Sequence, residues 1–298
     1  MPLFTRAFSH LELSPGDQVD HHIYFVEGES SEVSSLERPW VGEKPHHLGL
    51  IESFTEDHAF LLEQPGSLAI YCQNRNAGKT YYWIEDIDQI PVWESDFPLR
   101  MVFHWWFKNT GLQPTHAGAV GIENKGLLLV GAGGSGKSTS CLACINSQLR
   151  FAGDDYVLLD TQNRQVFSLF SLSKVTDKSI GLLENIHIDR STLAKPIDDK
   201  YRIHLYPNYK ESLIRSFPVF ATLVPKVEGG SKTSIVPCSK GEAMRAIAPT
   251  TLFQLPGLRE ESFAKISKFI RTTPTYTLNL GPDTSNLPTL LSSFLDNF

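Results

Sequence analysis

Eight consecutive residues, Gly131-Ala132-Gly133-Gly134-Ser135-Gly136-Lys137-Ser138, carry the clearest chemistry in the chain. They fit G-x-x-x-x-G-K-[ST] at every fixed position, a pattern that cradles nucleotide phosphates. Its glycines let the backbone turn its N–H groups into one concavity that Cβ atoms would obstruct. A following helix adds a positive N-terminal dipole and unpaired N–H groups. Lys137 would place a point charge on the β- and γ-phosphate oxygens, and the Ser138 hydroxyl would reach Mg²⁺. ATP and Mg²⁺ are therefore the expected cofactors. Gly131, Gly133, Gly134, Ser135, Gly136, Lys137, Ser138 and Thr139 form the expected nucleotide-binding set. The context agrees, with the apolar run Gly126–Val130 before the loop and a helical pattern after it.

A phosphate loop alone does not decide what becomes of the γ-phosphate. Gly153-Asp154-Asp155 follows, Asp154 lying seventeen residues beyond Lys137. A Walker B aspartate ordinarily ends a long apolar run much further along. Here only Leu149 and Phe151-Ala152 precede the acids. Adjacent side chains on extended chain point to opposite sides, so a turn, favoured by Gly153, is needed to aim both acids at the phosphates. One would then hold Mg²⁺ while the other accepts the proton of an attacking hydroxyl. The competing reading is a solvated turn with two acids. His116 opens a strand leading toward the loop and, taken alone, reads as a structural histidine.

The elements that must position these residues follow from periodicity. Residues 1 to about 95 read as a separate, β-rich unit, with alternation at Val19-His21-Ile23-Phe25, Phe60-Leu62, Leu68–Cys72 and Thr80–Ile84. Gly28 to Lys44, rich in Glu and Ser, reads as a loop. A helix is predicted from Asp96, with Pro98 in its first turn, an apolar stripe at Leu99, Val102, Phe103, Trp106 and Phe107, and an end at Gly111. Its aromatic stretch Trp105–Phe107 reads as core or interface. The remainder, 96–298, is predicted as one domain. It has a hairpin His116–Ile122 into Gly126–Val130, a helix Lys137–Leu149, and strands Asp155–Asp160 and Gln165–Phe170. Beyond these come a strand Ser216–Val227, a helix Glu260–Arg271 and a strand Tyr276–Leu280.

His116-x-Gly, a hairpin into Gly131–Ser138, a short helix and then Gly153-Asp154-Asp155 together resemble the kinase domain of HPr kinase/phosphorylase and its relatives. The resemblance covers about residues 100 to 170 well and the rest loosely. It looks nearest to the HPr-kinase-like branch associated with peptide-modification gene clusters, which includes kinases acting on lasso-peptide precursors. It implies an α/β P-loop core of HPr kinase/phosphoenolpyruvate carboxykinase type, preceded by a β-rich N-terminal domain that could select substrate. By the resemblance, Lys137 contacts phosphate, Ser138 coordinates Mg²⁺, Asp154 and Asp155 divide metal binding and general-base duty, with Asp155 the favoured base and Asp154 the favoured metal ligand, and His116 is hydrogen-bonded nearby. It also leaves a homo-oligomer open, since relatives with this core often assemble into rings. The glycine signature and the Arg-Gly-Asn stretch that mark true HPr kinase/phosphorylases are missing, so phosphorylase activity is not expected. Lys200 and Arg202, in the stretch 195–206, could reach nucleotide or substrate phosphate, or be exposed strand charges.

The leading reading is therefore an ATP-dependent kinase acting on a hydroxyl, seryl above all, of a peptide, protein or small molecule. The alternatives are a carboxykinase-like enzyme or plain NTPase, and a nucleotide-gated binding module. A net charge of −6 gives no electrostatic case for nucleic acid or an anionic membrane. No run approaches the ~18 apolar residues of a membrane span, and the N-terminus lacks a signal peptide's apolar stretch. A cytoplasmic protein is expected. Four scattered cysteines make no disulfide framework, and Cys141-x-x-Cys144 reads as helix packing.

Overall fold

The structure, a computed structural model, describes residues 2–28, 49–56, 59–64, 69–188, 198–227, 232–255 and 257–297. Apart from Gly28, the loop expected up to Lys44 lies outside these. Two compact units emerge: Leu13–Lys108 with Gln254–Arg259, and Met1–Glu12 with Asn109–Phe253 and Glu260–Phe298. The chain opens with helix α1 (Pro2–Phe8), which belongs to the larger unit, where Phe8 packs 5.4 Å from Phe170.

In the smaller unit, strands β1 (His22–Glu27), β2 (Ala59–Glu63), β3 (Ala69–Asn74) and β4 (Lys79–Ile84) form a sheet in the order β1-β4-β3-β2. Helices α2 (Val92–Asp96) and α3 (Arg100–Trp106) follow. Phe60 of β2 stacks on Trp105 of α3 at 5.2 Å, and Gln73 Nε2 donates to the Val102 carbonyl at 3.2 Å. The helix expected from Asp96 to Gly111 is thus the shorter α3, which packs with the β-rich segment, while α2 precedes it and ends at Asp96. The break has a local cause. Leu99 adopts a left-handed φ of 63°, and its N–H donates to the buried Glu94 carboxylate at 2.8 Å. The units consequently divide after Lys108, beyond the position near 95 read from the sequence.

Burial pushes the Glu94 carboxyl up to about 7, against the opposing Arg100 charge and hydrogen bonds from Tyr71 and the Leu99 N–H. Between its ordinary 4.5 and about 7 the folded state keeps a proton that the unfolded chain has released, so stability falls as pH rises through that window. The full effect is on the order of 3 kcal/mol. Glu94→Gln retains an acceptor for Leu99 and cannot titrate. Between about pH 5 and about pH 7.5, thermal melts should show wild type losing stability relative to the variant, in which His10, its pKa lowered to about 4 by burial, still titrates. Equal slopes would contradict this.

The larger unit continues with strands β5 (Leu112–Thr115), β6 (Ala117–Ile122) and β7 (Lys125–Val130), helix α4 (Lys137–Ala143), then β8 (Arg150–Gly153), β9 (Val157–Asp160), β10 (Gln165–Ser168) and β11 (Leu172–Val175). Helix α5 (Asp177–Ile180), strands β12 (Tyr201–His204), β13 (Ser216–Val227) and β14 (Ser234–Pro237), helices α6 (Lys240–Leu252) and α7 (Arg259–Thr272), strand β15 (Thr275–Leu280) and helix α8 (Leu287–Asp296) complete it. The main sheet runs β5-β9-β10-β13-β7-β6-β8, with β15 also beside β13 and β14 beside β15; β11 and β12 form a separate antiparallel ribbon. The architecture is mixed α/β with several sheets.

β7 sits inside this sheet and is covered on both faces. Leu127 and Leu129 join one core cluster with Cys141, Leu142 and Ile145 around α4 and Leu291 of α8. Leu128 and Val130 join the other, with Ile247 of α6 and Phe269 of α7. Side chains alternate along a strand, so burial on both faces yields an unbroken apolar run. Cys141 and Cys144 are both fully buried in the first cluster, in a packing role. α4 is shorter than the helix predicted to Leu149. Asn146 turns left-handed (φ 57°), and the Ser147 hydroxyl bonds the Cys144 carbonyl and the Leu149 N–H. Such local side-chain bonds compete with helix continuation.

Candidate active site

Sheet topology gathers the site. β6 runs antiparallel to both β7 and β8, with Ala117 opposite Val130 and Ala119 opposite Gly153. The start of β6 therefore lies beside the ends of its two neighbours. His116, Gly131 and Asp154 consequently share one end of three adjacent strands.

The glycine-rich loop spans the gap between β7, ending at Val130, and α4, beginning at Lys137. Gly136 has φ 104°, and a Cβ there would strike the Leu280 side chain. Among the described residues, Cβ atoms on Gly133 and Gly134 would meet nothing within 4 Å, so their side of the loop is open to them. Lys137 is 5% exposed and folds back on the loop, its Nζ donating to the Gly131 carbonyl at 2.7 Å and to that of Ala132 at 3.2 Å. Burial lowers its pKa, while the charges of Asp154 and Asp155 pull it up and that of Lys200 lowers it further. Among the described residues, Ser135 Oγ is buried without a hydrogen-bond partner. The Thr139 hydroxyl donates to Ser179 Oγ at 3.1 Å.

The two acids lie in the turn between β8 and β9, where the sequence reading began a strand at Asp155. Asp155 has φ 62°, and the Tyr156 N–H closes back onto the Asp154 carbonyl at 2.8 Å. A positive φ outside glycine is uncommon, and Asp is among the residues that tolerate it. Strained turns of this kind recur at functional sites. The Ala117 N–H donates to the Asp155 carbonyl at 3.1 Å, which fixes the turn against the start of β6.

Asp154 is fully buried. The Ser173 hydroxyl donates to its Oδ2 at 2.6 Å, whereas Oδ1 has no hydrogen-bond partner among the described residues. Burial and the charge of Asp155 raise its pKa; hydrogen bonding from Ser173 and Ser138 and the charge of Lys137 oppose this. A buried oxygen without a partner is costly, and it suits a carboxylate shaped to receive a cation. Ser138 beside it supplies a second hard oxygen, the donor type Mg²⁺ prefers. Gly118 explains its own identity here. A Cβ would lie 2.5 Å from Cys141 Sγ and 3.8 Å from Asp154 Oδ1.

Asp155 is clamped from both sides. His116 Nε2 lies 3.3 Å from Oδ1, and Lys174 Nζ lies 2.9 Å from Oδ2. Burial pushes this carboxyl up, but the His116 hydrogen bond and the Lys174 charge outweigh it and hold the group well below the ordinary carboxylate range. His116 is itself set in place. Its backbone N–H donates to Thr251 Oγ1 at 3.2 Å, and its ring stacks 5.6 Å from Tyr156.

Lys137, Asp154, Asp155 and His116 are thus brought together, with Ser138 beside Asp154. Ser173 and Lys174 were not legible in the sequence. Both lie on β11, a short strand with no motif, and only tertiary pairing selects them.

No family model matches the chain, and no curated protein matches it. Among solved structures it is similar to the Hpr(Ser) kinase/phosphatase from Coxiella burnetii, with 15% identity over 62% of this chain and 95% of that chain and a TM-score of 0.30. A likeness this low carries no functional argument, so function rests on the site's own residues. Among the described residues no helix is long and apolar enough to cross a membrane.

Proposed function

We propose that the protein is an ATP-dependent kinase of the HPr-kinase-like kind, transferring the γ-phosphate to a hydroxyl, seryl above all, of a peptide, protein or small molecule. The observation that carries this reading is the turn at Asp154–Asp155, which sets a cation-ready carboxylate and an ionised, clamped carboxylate beside the phosphate loop. Lys137 would leave the loop carbonyls for the β- and γ-phosphate oxygens, its three donors requiring acceptors in either state. Ser138 and Asp154 would hold Mg²⁺, which supplies charge neutralisation between the β- and γ-phosphates. Asp155 would accept the proton of the attacking hydroxyl as the new O–P bond forms and the bond to ADP breaks. His116 fixes that carboxylate's orientation. Phosphoryl transfer asks little basicity of such a group and much positioning, which suits an acid held ionised by its neighbours. Substrate choice would fall to the smaller, β-rich unit, and the reverse phosphorylase reaction would be absent.

The test is transfer itself. Incubation with γ-labelled ATP, Mg²⁺ and serine-containing peptides encoded beside this chain should label an acceptor. Label released only as inorganic phosphate would favour a plain NTPase, and no turnover at all would favour a binding module.

A further inference from the structure

The ribbon of β11 and β12 holds both acids. Ser173 and Lys174 are consecutive and leave the strand on opposite faces, one toward Asp154 and the other toward Asp155. Lys174 stands directly opposite Arg202 in the ribbon register, so the two side chains share a face. Lys200 comes two residues before Arg202, and its carbonyl accepts from Arg202 Nη1 at 2.8 Å. Lys200 also lies near enough that its charge is felt at Lys137. Lys174 and Arg202 thus stand directly across strands beside Asp155, with Lys200 near Lys137. Like charges so placed are destabilising, and a fold gains from them where a multiply charged anion is to be met.

We propose that this ribbon face is the seat of the transferred phosphoryl group, Lys174 and Arg202 binding the γ-phosphate oxygens of ATP. On this account Lys174 is shared. It pairs with Asp155 at 2.9 Å and would turn to the γ-phosphate when ATP binds, which leaves that carboxylate to the incoming hydroxyl. The proposal rests on the kinase reading of the loop and adds a γ-specific contact that the loop motif does not contain.

The two ideas separate in one calorimetric experiment on the full chain with Mg²⁺, titrating ADP and a non-hydrolysable imido analogue of ATP in parallel. Wild type should bind both. Lys174→Met should weaken the analogue by about tenfold or more while ADP affinity stays within about twofold, and Lys174→Arg should restore most of the loss. Equal losses on both nucleotides, or none on either, would overturn the γ-phosphate seat while leaving the loop reading intact. Wild type binding neither nucleotide would overturn both. Should Lys174→Met lack a cooperative melt, Arg202→Met carries the same comparison with the same criteria.

Discussion

Asp155→Asn is expected to slow phosphoryl transfer by about 10²–10⁴ at saturating Mg²⁺ and ATP, the range that general-base assistance contributes. Asn is the right probe for two reasons. It retains the shape and an acceptor oxygen, and it tolerates the left-handed backbone that Asp155 adopts at φ 62°. The protein should therefore fold, and nucleotide affinity should change little. Asp154→Asn should give a different symptom. Its buried oxygens face Ser138 and Ser173, not the His116–Lys174 clamp, so its loss should raise the Mg²⁺ requirement. The pH dependence has a definite sign. Because burial and Asp155 raise the Asp154 pKa, a proton competes with the cation, and the wild-type Mg²⁺ requirement should fall as pH rises. Initial rates over a grid of Mg²⁺ and pH distinguish the two variants. Full activity in both would make the pair a solvated turn.

Lys137→Ala should weaken nucleotide binding by about 10²-fold, the equivalent of one or two charge-assisted hydrogen bonds to phosphate at roughly 1.5–3 kcal/mol each. Without nucleotide, the melting temperature should stay near wild type. The ammonium is buried with its pKa lowered by that burial, so the loss of its bonds to the Gly131 and Ala132 carbonyls is offset by relief of desolvation. Nucleotide should then raise the melting temperature of wild type and not of the variant, as expected for a ligand that binds only the folded state. Unchanged affinity would remove the loop from the site.

The parts of this site that were legible in the sequence are those fixed by local rules. The glycine-rich loop, the apolar run of β7 and the paired acids each announce themselves within a few residues. Their convergence could be anticipated only because a two-residue connection at Glu123–Asn124 forces β6 to run back beside β7. Ser173 and Lys174 escaped because nothing local marks them. Their roles come from a ribbon whose other strand begins 26 residues after β11 ends. α6 escaped for another reason: Gly241 and Pro249 weaken its helical signature, and the Ser239 cap and packing of Ala243 and Ile247 restore it. The helix predicted from Asp96 starts later, at Arg100, where Leu99 turns left-handed and a buried side chain, Glu94, accepts its backbone N–H. In each case the deciding interaction was tertiary or side chain to backbone, which periodicity does not register.

The central claim is that Gly131–Ser138 and Asp154–Asp155 form one nucleotide site. A crystal structure of the full chain with ADP and Mg²⁺ tests it most directly. The account predicts the β-phosphate inside the loop, Lys137 Nζ moved from the Gly131 carbonyl onto phosphate oxygen, and the cation bound by Ser138 and Asp154, with Asp155 facing the open side where a γ-phosphate would lie. Nucleotide bound elsewhere, or bound in the loop with Asp154 and Asp155 still engaged only with Ser173, His116 and Lys174 and no cation between them and the phosphates, would contradict it.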